Sequence, residues 1–216
     1  MTQKKPILVV RRETLFRESN PFQGFLPHET FDYANLIINP RSGAHYLERD
    51  KVEQDPSWKQ PIPYILVVNP SLEKIYAYQR AVKDAHYGEK RLQGKWSLGV
   101  GGHVEEIDHQ TQDPLYECAL REIAEEIQGL EPHDAPRLFG YINDDADAVG
   151  KVHFGLVYLL ETSSSTVSPR DPEMLQGRLH TLEEFTTIFN SPEHQVEGWS
   201  RIAWPFVQQY FNELQK

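Results

Sequence analysis

The stretch Val100–Leu130, "VGGHVEEIDHQTQDPLYECALREIAEEIQGL", decides how the rest of the chain is read. It passes from two glycines through a long polar loop into a helical pattern. Asp113 followed by Pro114 is a helix start, with an Asx cap and a proline in the first turn. Gly129 offers a left-handed stop. Tyr116, Leu120, Ile123 and Ile127 recur at three- and four-residue steps, which predicts that they form the buried stripe. At about 100° per residue, Glu122, Glu125 and Glu126 then share one sector on roughly the opposite side. Such a face is ordinarily just solvated. Here, however, Glu122 and Glu126 repel at i,i+4, Glu125 adds to the repulsion, and no lysine occurs between Pro114 and Leu130. A hard divalent cation resolves that repulsion, since magnesium prefers carboxylate oxygens, water and phosphates.

The bulk numbers fit a soluble protein. The 216 residues suit one domain, or one domain with an extension. Hydrophobic residues make up 39% and charged residues 25%, so the chain can build a core. No apolar run approaches the ~20 residues that span a bilayer, so no membrane partner is expected. Cys118 is the only cysteine. An internal disulfide and a thiolate metal cage are therefore excluded, and a reducing cytoplasm is the expected compartment. A net charge of −10 argues against nucleic acid, whose phosphates need clustered Lys and Arg. It leaves room for a small phosphorylated ligand held by a cation or a local basic patch.

Outward from the opening stretch, period-two and apolar runs predict strands at "ILVV" (7–10), "NLIIN" (35–39), "YILVVN" (64–69), "KIYAYQR" (74–80), "RLFGYIN" (137–143) and "KVHFGLVYLLE" (151–161). Pro70 and Ser71 turn the third of these into the fourth as a hairpin. Thr181 and Glu184 have capping-box spacing at the start of a helix. "WSRIAWPFVQQYFNEL" (199–214) has helical spacing, with a kink expected near Pro205. The polar run "TSSSTVSP" (162–169) is a loop. The order is mixed and strands outnumber helices, an α+β pattern. Residues 1–62 are expected to be a β-rich N-terminal extension, and residues 63–216 the main domain with C-terminal helices.

"GGHVE" followed by "REIAEE" resembles the Nudix box, the signature of the Nudix hydrolases. The box runs Gly, five residues, Glu, seven residues, then Arg-Glu-apolar-any-Glu-Glu-any-Gly-apolar. The resemblance covers roughly residues 63–189 and implies the Nudix fold, a mixed β-sheet sandwiched between helices. Two spacings depart from it. Counting from Gly102, the box glutamate falls on Asp108 and Arg121 arrives five residues late. One extra residue also separates Glu126 from Gly129. The acid paired with Arg121 is thus open among Glu105, Glu106, Asp108 and Asp113, with Glu105 favoured because it keeps its offset from the glycines.

"WSLGVGGHVE" is similar to a branch that includes isopentenyl diphosphate isomerase and hydrolytic relatives. Isomerisation there needs a strand cysteine and a histidine cluster holding a metal. Cys118 lies in the acid helix instead, which favours hydrolysis. The resemblance implies a magnesium-dependent hydrolase, with manganese as an alternative ion, that cleaves a diphosphate linkage in a nucleoside diphosphate derivative or related metabolite. By position it carries over Glu122, Glu125 and Glu126 as metal ligands, one also able to serve as base. The Gly101 carbonyl is a further ligand, and Arg121 orients the acids. Arg80, Gly102 and Glu105 are the expected substrate contacts, with Lys83, Lys90, Arg91 and Lys95 as weaker helpers. Asp144, Asp145, Asp147 and Glu173 are candidates for a further ligand or base, though acidic turns are more often simply wet. His103 and His153 adjoin the site as structural or substrate-contacting residues, because magnesium disfavours imidazole. Phe22, Phe25 and Tyr64 either stack on a base or belong to the core. A homodimer is compatible with all of this. The competing readings are a non-catalytic nucleotide sensor, and an interaction module that exposes the aromatics of "FQGF" (22–25).

Overall fold

Alternating and continuous apolar runs set the strands, and the turn residues between them set the pairing. The computed structural model describes residues 5–16, 21–81, 92–131, 134–146 and 148–215. In chain order the elements are β1 (Pro6–Arg11), α1 (Arg12–Phe16), β2 (Gly24–Pro27), α2 (Tyr33–Ile38), β3 (His45–Glu48), α3 (Arg49–Val52), β4 (Trp58–Asn69) and β5 (Lys74–Arg80). The short strands β6 (Trp96–Ser97) and β7 (Gly99–Val100) lead to α4 (Pro114–Glu126). Then come β8 (Ile127–Gln128), β9 (Arg137–Asn143), β10 (His153–Glu161), β11 (Ser168–Pro169), β12 (Met174–Thr181), α5 (Leu182–Asn190) and α6 (Gly198–Leu214). Strands and helices alternate irregularly, as the α+β reading expects.

The chain divides into two units that each draw on several segments. The first comprises Met1–Tyr64, Gly101–Glu122 and Leu138–Tyr158. In it β1 pairs with β3 through Ile7↔Leu47 and with β4 through Val10↔Lys59, while β2 pairs with β9. Ile7, Val9, Val52 and Trp58 form one buried cluster. Phe16, Phe22, Tyr33, Tyr141 and Phe154 form an aromatic one with ring centroids 5.2–6.4 Å apart, mostly edge to face.

A buried cation pins this unit. Lys59 is fully buried and donates to Asp145 Oδ1 (2.9 Å) and to the carbonyls of Gly150 and His153. Arg12 grips the same carboxylate with both Nη atoms. Burial alone would raise the Asp145 pKa, yet the bonds from Arg12, Lys59 and Gln23 hold it below the usual carboxylate range. Burial pulls Lys59 down to about 8 against that attraction.

The second unit comprises Ile65–Val100, Ile123–Arg137 and Leu159–Lys216. β4 turns at Pro70–Leu72 into β5, with Val68↔Ile75 and Asn69↔Lys74 in register, so the expected hairpin is present. β5 also pairs with β12 and β6, and β8 with β11. The Thr181/Glu184 capping box starts α5, with reciprocal bonds of 3.1 and 2.8 Å. Phe185 on α5 meets Trp204 on α6 edge to face at 4.9 Å. Pro205 lies inside α6.

Two expectations fail here. Residues 35–39 were expected to be a strand, but Asn35–Ile38 belong to helix α2. Asp32 caps the first turn by accepting from Asn35 N (2.9 Å), which commits the segment to a helix despite its two isoleucines. Nor is "FQGF" an exposed aromatic surface. Both rings are half-buried: Phe22 packs among Phe16, Tyr33 and Phe154, and Phe25 against Phe139. Tyr64 is buried.

Candidate active site

Helix α4 starts as its sequence requires. Asp113 Oδ1 accepts from Tyr116 N (3.0 Å), and Pro114 occupies the first helical position. The helix ends at Glu126, and Gly129 takes the left-handed conformation with φ +88°.

The buried face is not the expected one. Leu115, Cys118, Ala119 and Glu122 are buried, whereas Leu120 is 37% exposed and Tyr116 and Ile123 are half-buried; of the expected stripe Ile127, just past the helix, is buried. Relative to the predicted stripe of Tyr116, Leu120, Ile123 and Ile127, the helix is rotated by about a third of a turn. Small side chains explain the rotation. Cys118 and Ala119 let the helix approach the backbone of the glycine loop closely, and Cys118 Sγ lies 3.8 Å from the Gly102 carbonyl and 3.5 Å from that of His103. Burial pushes the Cys118 thiol far up, so it is packing and not a nucleophile. Glu122 therefore points inward, only 8% exposed.

Around Glu122 the fit is close. A Cβ on Gly102 would stand 2.5 Å from Glu122 Oε1, so a side chain there would displace that carboxylate from its place. Gly101 has φ +150°, and a side chain there would collide with the Pro63 carbonyl. Arg121 Nη1 donates to Glu122 Oε1 (2.6 Å), and its Nη2 donates to the His103 carbonyl (3.0 Å).

The anchor of Arg121 is Asp108, not the favoured Glu105. Asp108 accepts from Nε (2.8 Å) and Nη2 (2.9 Å) in a fork-on-fork pair, and is 3% exposed. These bonds, above all the one to Asp108, hold the guanidinium pKa higher still. The single turn Glu106–Asp108 brings the shorter side chain back beneath the loop, where it also accepts from Glu105 N (2.8 Å). Glu105 instead turns to Lys5 Nζ, 2.6 Å away. The count from Gly102 thus identified the correct acid.

The remaining candidates are distributed as follows. Glu126 lies in the second unit with Tyr76 and Tyr78, whose hydroxyl pKa values are raised by burial and then by the Glu126 charge. Arg80 donates its Nε to buried Glu197 (3.0 Å), which also accepts from Ser97 and Ser200. Asp145 is occupied by Lys59 and Arg12, and Asp144 accepts from Ala146 N. Glu173 belongs to the turn before β12, where its N donates to Asp171. Lys83, Lys90, Arg91 and Asp147 lie outside the described residues. Sequence reasoning did not find Glu53 or Gln60, which lie against the two histidines: His103 Nε2 is 2.7 Å from Gln60 Oε1 and 3.2 Å from His153 Nε2. Local spacing carries no signal for a cluster drawn from such distant segments.

An α+β scaffold, a glycine pair pressed on a buried helical carboxylate and an arginine clamp accord with the Nudix resemblance. Comparison with known proteins agrees. The NUDIX domain model matches residues 59–203. The chain is 32% identical over 204 residues to Protein YmaB of Bacillus subtilis (strain 168), covering 91% of this chain and 94% of that one. Among solved structures, Tm1382, assigned to the Nudix hydrolases, superposes with a TM-score of 0.74 and 26% identity, covering 95% of this chain and all of that one. DR0079 from Deinococcus radiodurans shares the fold, with a TM-score of 0.51, 18% identity and coverage of 79% and 94%. The chain belongs to the Nudix hydrolase family, and its activity class is that of Nudix-type pyrophosphohydrolases.

Proposed function

We propose that the chain is a magnesium-dependent hydrolase of a diphosphate linkage, acting on a nucleoside diphosphate derivative or related phosphorylated metabolite, with manganese as an alternative ion. The inward-facing Glu122 carries this reading. A carboxylate 8% exposed is costly to hold unless it is paired and positioned for use. The donor set suits a hard ion: Glu122, Glu125 and Glu126 of α4, with the Gly101 carbonyl, are all oxygens. When bound, magnesium neutralises phosphate charge and lowers the pKa of a coordinated water.

The residues then have separable tasks. Asp108 fixes Arg121, and Arg121 fixes Glu122. Gly102 leaves space for that carboxylate. One of the three glutamates would also take the proton from the attacking water. Arg80, positioned by Glu197, contacts the substrate, as do Gly102 and Glu105. Residues 1–62 form an N-terminal extension of the 63–216 domain, supported by the family match beginning at residue 59. With its lone buried cysteine, the protein works in the reducing cytoplasm.

A phosphate-release screen of the full chain with magnesium, over nucleotide sugars, dinucleotides and nucleoside di- and triphosphates, tests the reading. Glu125→Gln and Glu126→Gln should each lose several orders of magnitude in rate while melting like the wild type. Equal turnover in all three proteins would overturn the assignment.

A further inference from the structure

Beside the carboxylate site, the first unit holds a second cluster whose chemistry differs. Glu53, at the C-terminal end of α3, His103, in the glycine loop, and His153, at the start of β10, each bring one ligand atom within 4.8 Å of the other two. We propose that these three residues form a binding site for one zinc-class divalent transition-metal ion.

Three observations carry it. The first is a distance. Two imidazole nitrogens bound at about 2.0–2.1 Å to one tetrahedral ion stand about 3.3 Å apart. His103 Nε2 and His153 Nε2 are 3.2 Å apart. The second is orientation. His153 Nδ1 lies 2.7 Å from the Val149 carbonyl, the backbone hydrogen bond that typically fixes the tautomer and aim of a metal-binding histidine. Its Nε2 is thereby directed at His103.

The third is the concentration of acceptors. Gln60, wholly buried, places Oε1 2.7 Å from the same His103 Nε2. In neutral imidazoles with His153 Nδ1 protonated, a single N–H on His103 serves both the Gln60 oxygen and the His153 nitrogen. An ion at this point exchanges that shared proton for a charge that every surrounding donor atom favours.

The two-histidine, one-carboxylate set matches zinc better than magnesium. The two sites therefore discriminate between ions, and this one does not depend on the Nudix glutamates. Glu53 is also paired with Arg49 at 3.0 Å, which supplies the counter-charge when no ion is bound.

The test uses the chelator-treated full-length protein titrated with cobalt(II) in excess magnesium, read by visible absorption and by calorimetry with zinc(II). The wild type should bind one equivalent with the intense bands of four-coordinate cobalt. His103→Asn, His153→Asn and Glu53→Gln should each weaken binding at least tenfold. Glu125→Gln/Glu126→Gln should retain the signal even though hydrolysis is lost. Absence of tight cobalt binding by the wild type overturns the proposal. So does an equivalent kept in Glu53→Gln, the partly exposed ligand whose replacement least disturbs folding, or one lost with the helical glutamates alone.

Discussion

Asp108 and Glu105 stand three residues apart, yet only Asp108 reaches the arginine. Its carboxylate receives two guanidinium bonds and one backbone N–H while 3% exposed, whereas Glu105 meets a lysine at the surface. Hydrogen bonds to a charged partner are worth about 1.5–3 kcal/mol, and exposed ion pairs about 0–1. Asp108→Asn is therefore expected to lower unfolding free energy by about 2 kcal/mol and to reduce turnover by loosening Arg121 against Glu122. Glu105→Gln should shift stability by less than about 0.5 kcal/mol. Urea unfolding of the two variants side by side checks the pair. Equal losses, or a larger loss at Glu105, would restore Glu105 as the anchor. In the sequence this choice stayed open because spacing from the glycines and spacing from the box pointed to different acids, and one turn of backbone decides between them.

At the scale of the element, the legible parts were those with one strong local cause. The strands at 64–69, 74–80, 137–143 and 153–161 follow from apolar runs, and α5 from its capping box. The helix at 114–126 was legible in place and length, but not in rotation. Hydrophobic periodicity weights Leu120 and Ile123 heavily and Cys118 and Ala119 lightly, although small residues permit the closest approach of backbones. It also counts Glu122 as polar and hence as outward, while the site needs it inward. Two substitutions separate these faces. Leu120→Lys, on the exposed side, should cost less than about 0.5 kcal/mol. Ala119→Leu, on the buried side, should cost about 1–3 kcal/mol through overpacking and should reduce activity with it. Thermal melts and turnover of both variants check this, and the reverse order would return the helix to its predicted rotation. The histidine cluster had no such local cause, since its members meet only through the tertiary fold.

For the whole molecule, the acid limit of stability follows from histidines that fold into places where they must stay neutral. His180 is 2% exposed on β12, with its ring edge-on to Trp96 at 5.5 Å. Burial first, and then the Arg178 charge, brings its pKa from 6.5 to about 4. Between those values the unfolded chain binds a proton that the folded chain refuses. The stability contributed by neutral His180 is thus complete above pH 6.5 and is lost as pH falls toward 4, at up to about 1.4 kcal/mol per pH unit. His103 is depressed in the same direction and adds to the slope. Asp145 and Glu184 are held below the usual carboxylate range and give way only at lower pH, and Lys59 titrates above neutrality, so a window from pH 7 to 5 isolates the imidazoles. Urea unfolding across that window should show wild-type stability falling with acid, and His180→Phe, which cannot titrate, should fall less steeply by up to one proton's worth. A variant with the wild-type slope would mean that His180 is not the group the fold keeps neutral.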